Sequence, residues 1–226
     1  MKSHLELKEL HGTEYVEKFE KTQSPIRLDR LIKHMDLNDD YVVVDFACGN
    51  GMLMECVAPK VRTYVGVDFS EPFIKSANNM KNQLDIDNAE FFCSGIKEFC
   101  QEYKGEFDVS FAMDFSEHVY DKEWVEILRE IRLTLKKNGK LYLHTPNSDF
   151  FVEILKDANF IVKQFPEHVA VRSPEHNISL LRKAGFHISK LLLIPHYNIL
   201  RLFHFVSYIP LIGKYFKARI FIEAVK

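Results

Sequence analysis

The run YVVVDF (Tyr41 to Phe46) places an acid, Asp45, near the end of an otherwise apolar stretch, and Ala47, Gly49 and Gly51 follow at once. No other string narrows the choice of fold as much. A short apolar run without alternation reads as a strand covered on both faces. Small residues directly after it let the strand turn into a helix and let a ligand come close to the backbone. The same grammar recurs: TYVGVDF (Thr63 to Phe69), AEFFCS, FDVSFAM (Phe107 to Met113) and GKLYLHT (Gly139 to Thr145) read as four further strands. Helices are expected around Ile26 to Met35, from Gly51, from Glu71, from Ile96, and from Lys122 to Lys137, the last stopped by a left-handed Gly139. The stretch 147–172 has no clear period and reads as a lid insertion. A helix from Pro174 to Ala184, ended by Gly185, precedes HISKLLLI and ARIFIEAV, which suit an antiparallel edge pair. This alternation predicts an α/β fold: a Rossmann-like, seven-stranded, mainly parallel sheet with helices on both faces. It is read as one domain over 1–226, with a helical cap over about 1–38 and the core over about 39–226.

Composition trims the function classes. A length of 226 residues suits one large α/β domain better than two thin ones. With 30 basic against 32 acidic residues and no block of one sign, nothing marks a long nucleic acid as partner, and a small-molecule acceptor is favoured. Cys48, Cys56, Cys93 and Cys100 show no CxxC spacing, so reduced thiols and a cytoplasmic setting are expected rather than zinc cages or disulfides. MKSHLELKEL lacks the apolar stretch of a secretory signal.

Asp68, nineteen residues after Gly49, ends the second strand, where a carboxylate accepts hydrogen bonds from ribose hydroxyls. A nicotinamide dinucleotide fits poorly, since GxGxxG would need glycine at Met54 and a pyrophosphate has no use for Asp45; an acid there suits a cationic ligand. A tight turn with no ligand explains the glycines alone but not their register with both acids. Cys48 reads as a packing residue. The string DFACGNG resembles the DxxCGxG motif of the class I S-adenosylmethionine (SAM)-dependent methyltransferases, with Ala47 in place of the usual glycine. The resemblance implies SAM as cofactor, its methionine end near Asp45, Ala47, Gly49 and Gly51 and its ribose on Asp68. It extends to Ser94, Gly95 and Ile96, where the family's adenine-flanking loop lies, although Ser94 replaces an acid. Phe69 and Met113 complete this part of the cofactor-binding set.

After the fourth strand, FAMDFSEHVYD sets Asp114, Glu117 and His118 at i, i+3 and i+4, one side of a helical turn. Two carboxylates and an imidazole suit a divalent cation: Mg²⁺ or Mn²⁺ by their oxygens, Zn²⁺ or Fe²⁺ by the imidazole. His168 is the preferred further ligand and His144 the other candidate. Two readings without a cation stand beside this one: a helix start with satisfied polar groups, and His118 acting as general base. The motif is similar to the ExxEH of the O-methyltransferases of ubiquinone biosynthesis and, more distantly, of the small-RNA terminal-ribose methyltransferases, with Asp114 in place of the first Glu. In those families a later His completes a metal site, and His168, ahead of a Pro-Glu helix start, stands in its place. SPIRL, whose Arg27 matches a cofactor-contacting arginine, LHTPN and PHYN extend the likeness from about Ser24 to Asn198.

The resemblance implies methyl transfer to a hydroxyl of a small, apolar or phenolic acceptor, with Glu117 and His118 as catalytic residues. The alternatives are a metal-free N- or C-methyltransferase and a non-catalytic SAM- or nucleotide-binding module; a mere binder needs no acid and imidazole in this place. The segment LLLIPHYNILRLFHFVSYIPLIGKYF, broken by Pro195 and Pro210, is read as packing in a lid or edge element, or else as an apolar substrate entrance or an amphipathic membrane-surface contact.

Overall fold

The structure, a computed structural model, describes residues 25–157, 168–196 and 205–226. Tyr197, Asn198, Leu202 and Phe203 of the apolar C-terminal segment lie outside the described residues, as do most of the expected N-terminal cap and the Arg27 side chain. The strands hydrogen-bond into one seven-stranded sheet of order β3-β2-β1-β4-β5-β7-β6. The chain divides into two compact units, residues 1–111 with 134–136, and residues 112–133 with 137–226.

The first unit holds α1 (Pro25–Ile32), β1 (Val42–Phe46), α2 (Met52–Val57), β2 (Thr63–Asp68), α3 (Glu71–Gln83), β3 (Ala89–Cys93), α4 (Ile96–Glu102) and most of β4 (Phe107–Met113). β1 pairs in parallel with β2 and β4, and β2 with β3. Val43, Val44, Phe46, Tyr64 and Val67 are all buried, which is why these strands carry unbroken apolar runs. Phe99 of α4 stacks on Tyr103 with ring centroids 4.3 Å apart and meets Phe46 edge-on, so aromatic rings fill part of this core.

In the second unit, α5 (Asp121–Thr134) buries Trp124, Ile127, Leu128 and Ile131 along one stripe, the spacing of an amphipathic helix. β5 (Leu135–Pro146) pairs antiparallel with β7 (Arg219–Val225), and β7 with β6 (His187–Ile194). β7 is therefore the inner strand of this antiparallel pair and β6 the outer one, at the opposite edge of the sheet from β3. α6 (Phe151–Asp157) lies in the expected lid, and α7 (Pro174–Lys183) is capped by Ser173, whose hydroxyl accepts the His176 N–H at 3.2 Å.

One boundary departs from expectation. The helix expected to reach Lys137 ends at Thr134, and the strand expected from Gly139 begins at Leu135. Leu135 is buried, and the Lys136 ammonium donates to both Asp108 oxygens at 2.8 and 2.9 Å. These tertiary contacts outweigh the helical preference of the two lysines. Asn138, not Gly139, takes the left-handed conformation (φ 63°), which its short polar side chain tolerates. Among the described residues no helix is long and apolar enough to cross a membrane.

Candidate functional site

The glycine turn after β1 is built from the backbone outward. Ala47, Gly49 and Gly51 all take left-handed φ values of 56°, 54° and 77°. This crumples the chain into a short cradle before α2, and Ala47 adopts a conformation that costs an L-residue about 1–2 kcal/mol. The Cys48 N–H donates to the Val67 carbonyl at 3.1 Å and the Gly49 N–H to Asp68 Oδ2 at 3.0 Å, so the turn is pinned to the end of β2. A Cβ on Gly51 would lie 2.8 Å from the Phe91 ring, which leaves no room for any other residue.

Asp68 also accepts the Ser70 N–H on Oδ1 at 2.9 Å. Each carboxylate oxygen keeps a further lone pair, the capacity a vicinal diol needs. Burial raises its pKa, and the backbone N–H groups of Ser70, Gly49 and Phe69 oppose that rise. Asp45 is 3% exposed and accepts the Tyr64 hydroxyl on Oδ2 at 2.6 Å. Burial pushes its pKa up to about 7; Tyr64 lowers it and the charge of Asp68 raises it. An acid in that state gains its charge most readily when a cationic group arrives. Cys48 is buried and its thiol pKa is raised well above normal by burial, which leaves it an inert packing group. Ser94 and Gly95 form the turn between β3 and α4, where the Ser94 N–H donates to the Asp68 carbonyl at 3.0 Å; Ile96 opens α4 and Phe69 follows Asp68.

In the second unit, a 3₁₀ turn, Ser116–His118, follows β4, whose last residue is Met113. Ligand atoms of Glu117, His118 and His168 all lie within 4.8 Å of one another, and the two imidazole rings meet edge-to-face with centroids 5.1 Å apart. His168 arrives there because the N–H groups of Val169 and Ala170 both donate to the Glu117 carbonyl, at 2.9 and 3.0 Å. Thr145 donates to Glu117 Oε2 at 3.0 Å and accepts from Ser116 at 3.1 Å. Burial, with the charge of Asp114 next, raises the Glu117 pKa to about 8. Burial, then the charge of His118, lowers that of His168 to about 4. Asp114 is not among the three. It sits in a left-handed conformation (φ 51°), and its Oδ1 meets His144 Nδ1 at 2.9 Å and accepts from Arg219 Nη1 at 3.1 Å.

The methyltransferase domain model matches residues 37–192 of this sequence, well over half of its length. The chain belongs to the methyltransferase domain family. This methyltransferase is 27% identical over 186 residues to a ubiquinone biosynthesis O-methyltransferase of Acinetobacter baylyi, covering 77% of this chain and 75% of that one. A Coxiella burnetii protein of the same name is 27% identical over 146 residues, 64% of this chain and 60% of that protein. In fold it is similar to a putative methyltransferase from Bacillus halodurans (TM-score 0.68, 18% identity, covering 88% and 98% of the two chains). A geranyl diphosphate C-methyltransferase from Streptomyces coelicolor, solved with Mg²⁺, geranyl diphosphate and S-adenosyl-L-homocysteine, is similar with a TM-score of 0.64 at 16% identity, over 88% of this chain and 79% of that one. The chain is thus a SAM-dependent methyltransferase.

Sequence reasoning did not single out Tyr64, Thr145 or Arg219. Tyr64 left one usable signal, a hydroxyl-bearing side chain inside an apolar strand, where it is 0% exposed and needs a partner. Thr145 left only its place in LHTPN, and Arg219 left none, because only folding brings β7 to the Asp114 carboxylate.

Proposed function

We propose that this methyltransferase acts on a hydroxyl of a small, apolar or phenolic acceptor, and that Glu117, His118 and His168 hold a divalent cation that assists it. The observation that carries the reading is the convergence of those three ligand atoms within 4.8 Å. The donor set fits a cation on chemical grounds. His168, whose pKa is lowered to about 4, keeps a ring lone pair at neutral pH. A Glu117 raised to about 8 by burial is a carboxyl that a positive charge would ionise. Two imidazoles and one carboxylate favour Mn²⁺, Fe²⁺ or Zn²⁺ over Mg²⁺. Asp114 is assigned a place one step behind these ligands, steering His144 and Arg219. The O-methyltransferase names of the similar curated proteins support the hydroxyl acceptor. Phe205, Tyr208 and Leu211, exposed at 68, 80 and 92%, support an apolar one and a peripheral lipid-like contact.

In this reading Asp45, Ala47, Gly49 and Gly51 hold the methionine end of SAM, Asp68 its ribose, and Phe69, Ser94, Gly95, Ile96, Met113 and Arg27 contribute to its binding. SAM supplies a methyl group already activated by its sulfonium, so the remaining work is alignment of the acceptor oxygen and removal of its proton. Without a cation, His118 is the group assigned to that proton. A cation held at Glu117, His118 and His168 would supply Lewis acidity toward the acceptor hydroxyl.

The test is purified protein with methyl-labelled SAM against catechols, phenols and lipid extracts, with and without chelator. Label is expected on oxygen, with activity lost on chelation and restored by added cation, and His118→Ala is expected to cost turnover far more than SAM affinity. Full activity after exhaustive chelation removes the cation and leaves His118 as general base. Label on nitrogen or carbon overturns the hydroxyl acceptor.

A further inference from the structure

The geometry points to Arg172 as the positioning residue that holds Glu117 and His118 in register with His168. Its guanidinium is 3% exposed and spends its fork on one short piece of chain. Nη1 donates to the Ser116 carbonyl at 2.6 Å, Nη2 to the Val119 carbonyl, and Nε to Asp121 Oδ1 at 2.8 Å. Ser116 and Val119 bracket Glu117 and His118, so one planar group grips both ends of the turn that carries them. Between these two points the Glu117 carbonyl accepts the Val169 and Ala170 N–H groups. The segment 168–172 is therefore fastened to the segment 116–119 at three carbonyls, those of Ser116, Glu117 and Val119, the outer two by the side chain of its last residue. Beyond it, the Arg172 carbonyl accepts the Ser148 N–H at 3.1 Å, and Asp121 Oδ2 lies 2.8 Å from His176 Nε2 near the start of α7. Arg172 is thus anchored on both flanks while it shapes the turn.

A buried arginine whose only duty is to neutralise a charge needs one carboxylate. Here two of its three partners are main-chain carbonyls, and these sit beside the candidate ligands rather than elsewhere in the unit. The function depends on the rigid fork of donors, which lysine, a single point charge on a flexible stem, does not reproduce. Supporting groups behind metal ligands act in this way, and their loss weakens metal binding about 10- to 100-fold. The inference rests on the proposed role of Glu117, His118 and His168.

The experiment uses the full-length protein and the variants Arg172→Lys and Asp121→Asn. It reads thermal melting, SAM affinity by calorimetry, Mn²⁺ affinity, and the imidazole resonances of His118, His168 and exposed His187. For a folded Arg172→Lys, SAM affinity is expected to hold within about twofold, Mn²⁺ affinity to fall about 10- to 100-fold, and the His118 and His168 resonances to move while His187 stays put. Asp121→Asn, which leaves both carbonyl contacts in place, is expected to show the same pattern more weakly, and it carries the test if the lysine variant does not fold. Wild-type Mn²⁺ affinity with unmoved His118 and His168 resonances overturns the role of Arg172. A wild-type protein that binds no Mn²⁺ overturns the cation reading alone, and the two imidazole resonances then decide Arg172 by themselves.

Discussion

Asp45 gives the end of β1 a pH dependence whose sign follows from its surroundings. Its carboxyl titrates near 7 in the folded chain, against an ordinary value of 3.8, chiefly because it is buried. A folded-state pKa above the unfolded one means that the folded chain binds the extra proton between about pH 4 and 7. The stabilisation is fully present below the unfolded value and is lost as pH rises through the folded one. Asp45→Asn removes the titration and keeps an acceptor for the Tyr64 hydroxyl. The ligand-free variant is therefore expected to melt above the wild type at pH 8 by a few kcal/mol at most, and to lose affinity for SAM, whose cationic end no longer meets a carboxylate. Melting curves at pH 5 and 8 with matched calorimetry check this; a variant less stable than wild type at pH 8 contradicts it.

At the scale of elements, β1, β2 and β3 close around one aromatic ring. Gly66 in β2 has no side chain because a Cβ there would lie 2.4 Å from Phe91 Cδ1 and 3.0 Å from Cys48 Sγ. The same ring leaves no space at Gly51, so a β3 side chain shapes the turn that follows β1. Gly66→Ala is expected to destabilise by about 1–3 kcal/mol through overpacking. Adding Phe91→Ala removes the obstacle, and denaturant titration of the double variant should return a favourable coupling between the two sites. Strictly additive losses would show that Phe91 is not what excludes a side chain at Gly66.

For the whole molecule, SAM binding should register as stability. A ligand that binds only the folded chain at about 100 times its Kd adds about 2.7 kcal/mol, and for a chain of 226 residues this corresponds to roughly 5–10 °C in Tm. Asp68→Ala is expected to abolish most of that shift. It removes the proposed ribose acceptor and also frees the Gly49 and Ser70 N–H groups that the carboxylate holds at 3.0 and 2.9 Å. An intact shift in a folded Asp68→Ala protein would remove Asp68 from the cofactor site.

The sequence by itself determined the βα alternation, the seven strands and the glycine turn after β1. Each of these is written locally, as short apolar runs, two of them closing on an acid, and as small residues at left-handed positions. It also determined which residue types after β4 are fit for a cation or a proton. It did not determine where α5 gives way to β5, because the contacts of Leu135 and Lys136 that end the helix are long-range. The sequence also pointed to His168 beside Glu117 and His118, whereas the tertiary structure alone turned the Asp114 carboxylate to Arg219 and His144. Spacing along a helix places Asp114 beside Glu117, but a left-handed residue and a 3₁₀ turn break that spacing. Arg172 had no pattern to announce it, because its partners are main-chain carbonyls more than fifty residues earlier in the chain, and only folding brings a guanidinium to them.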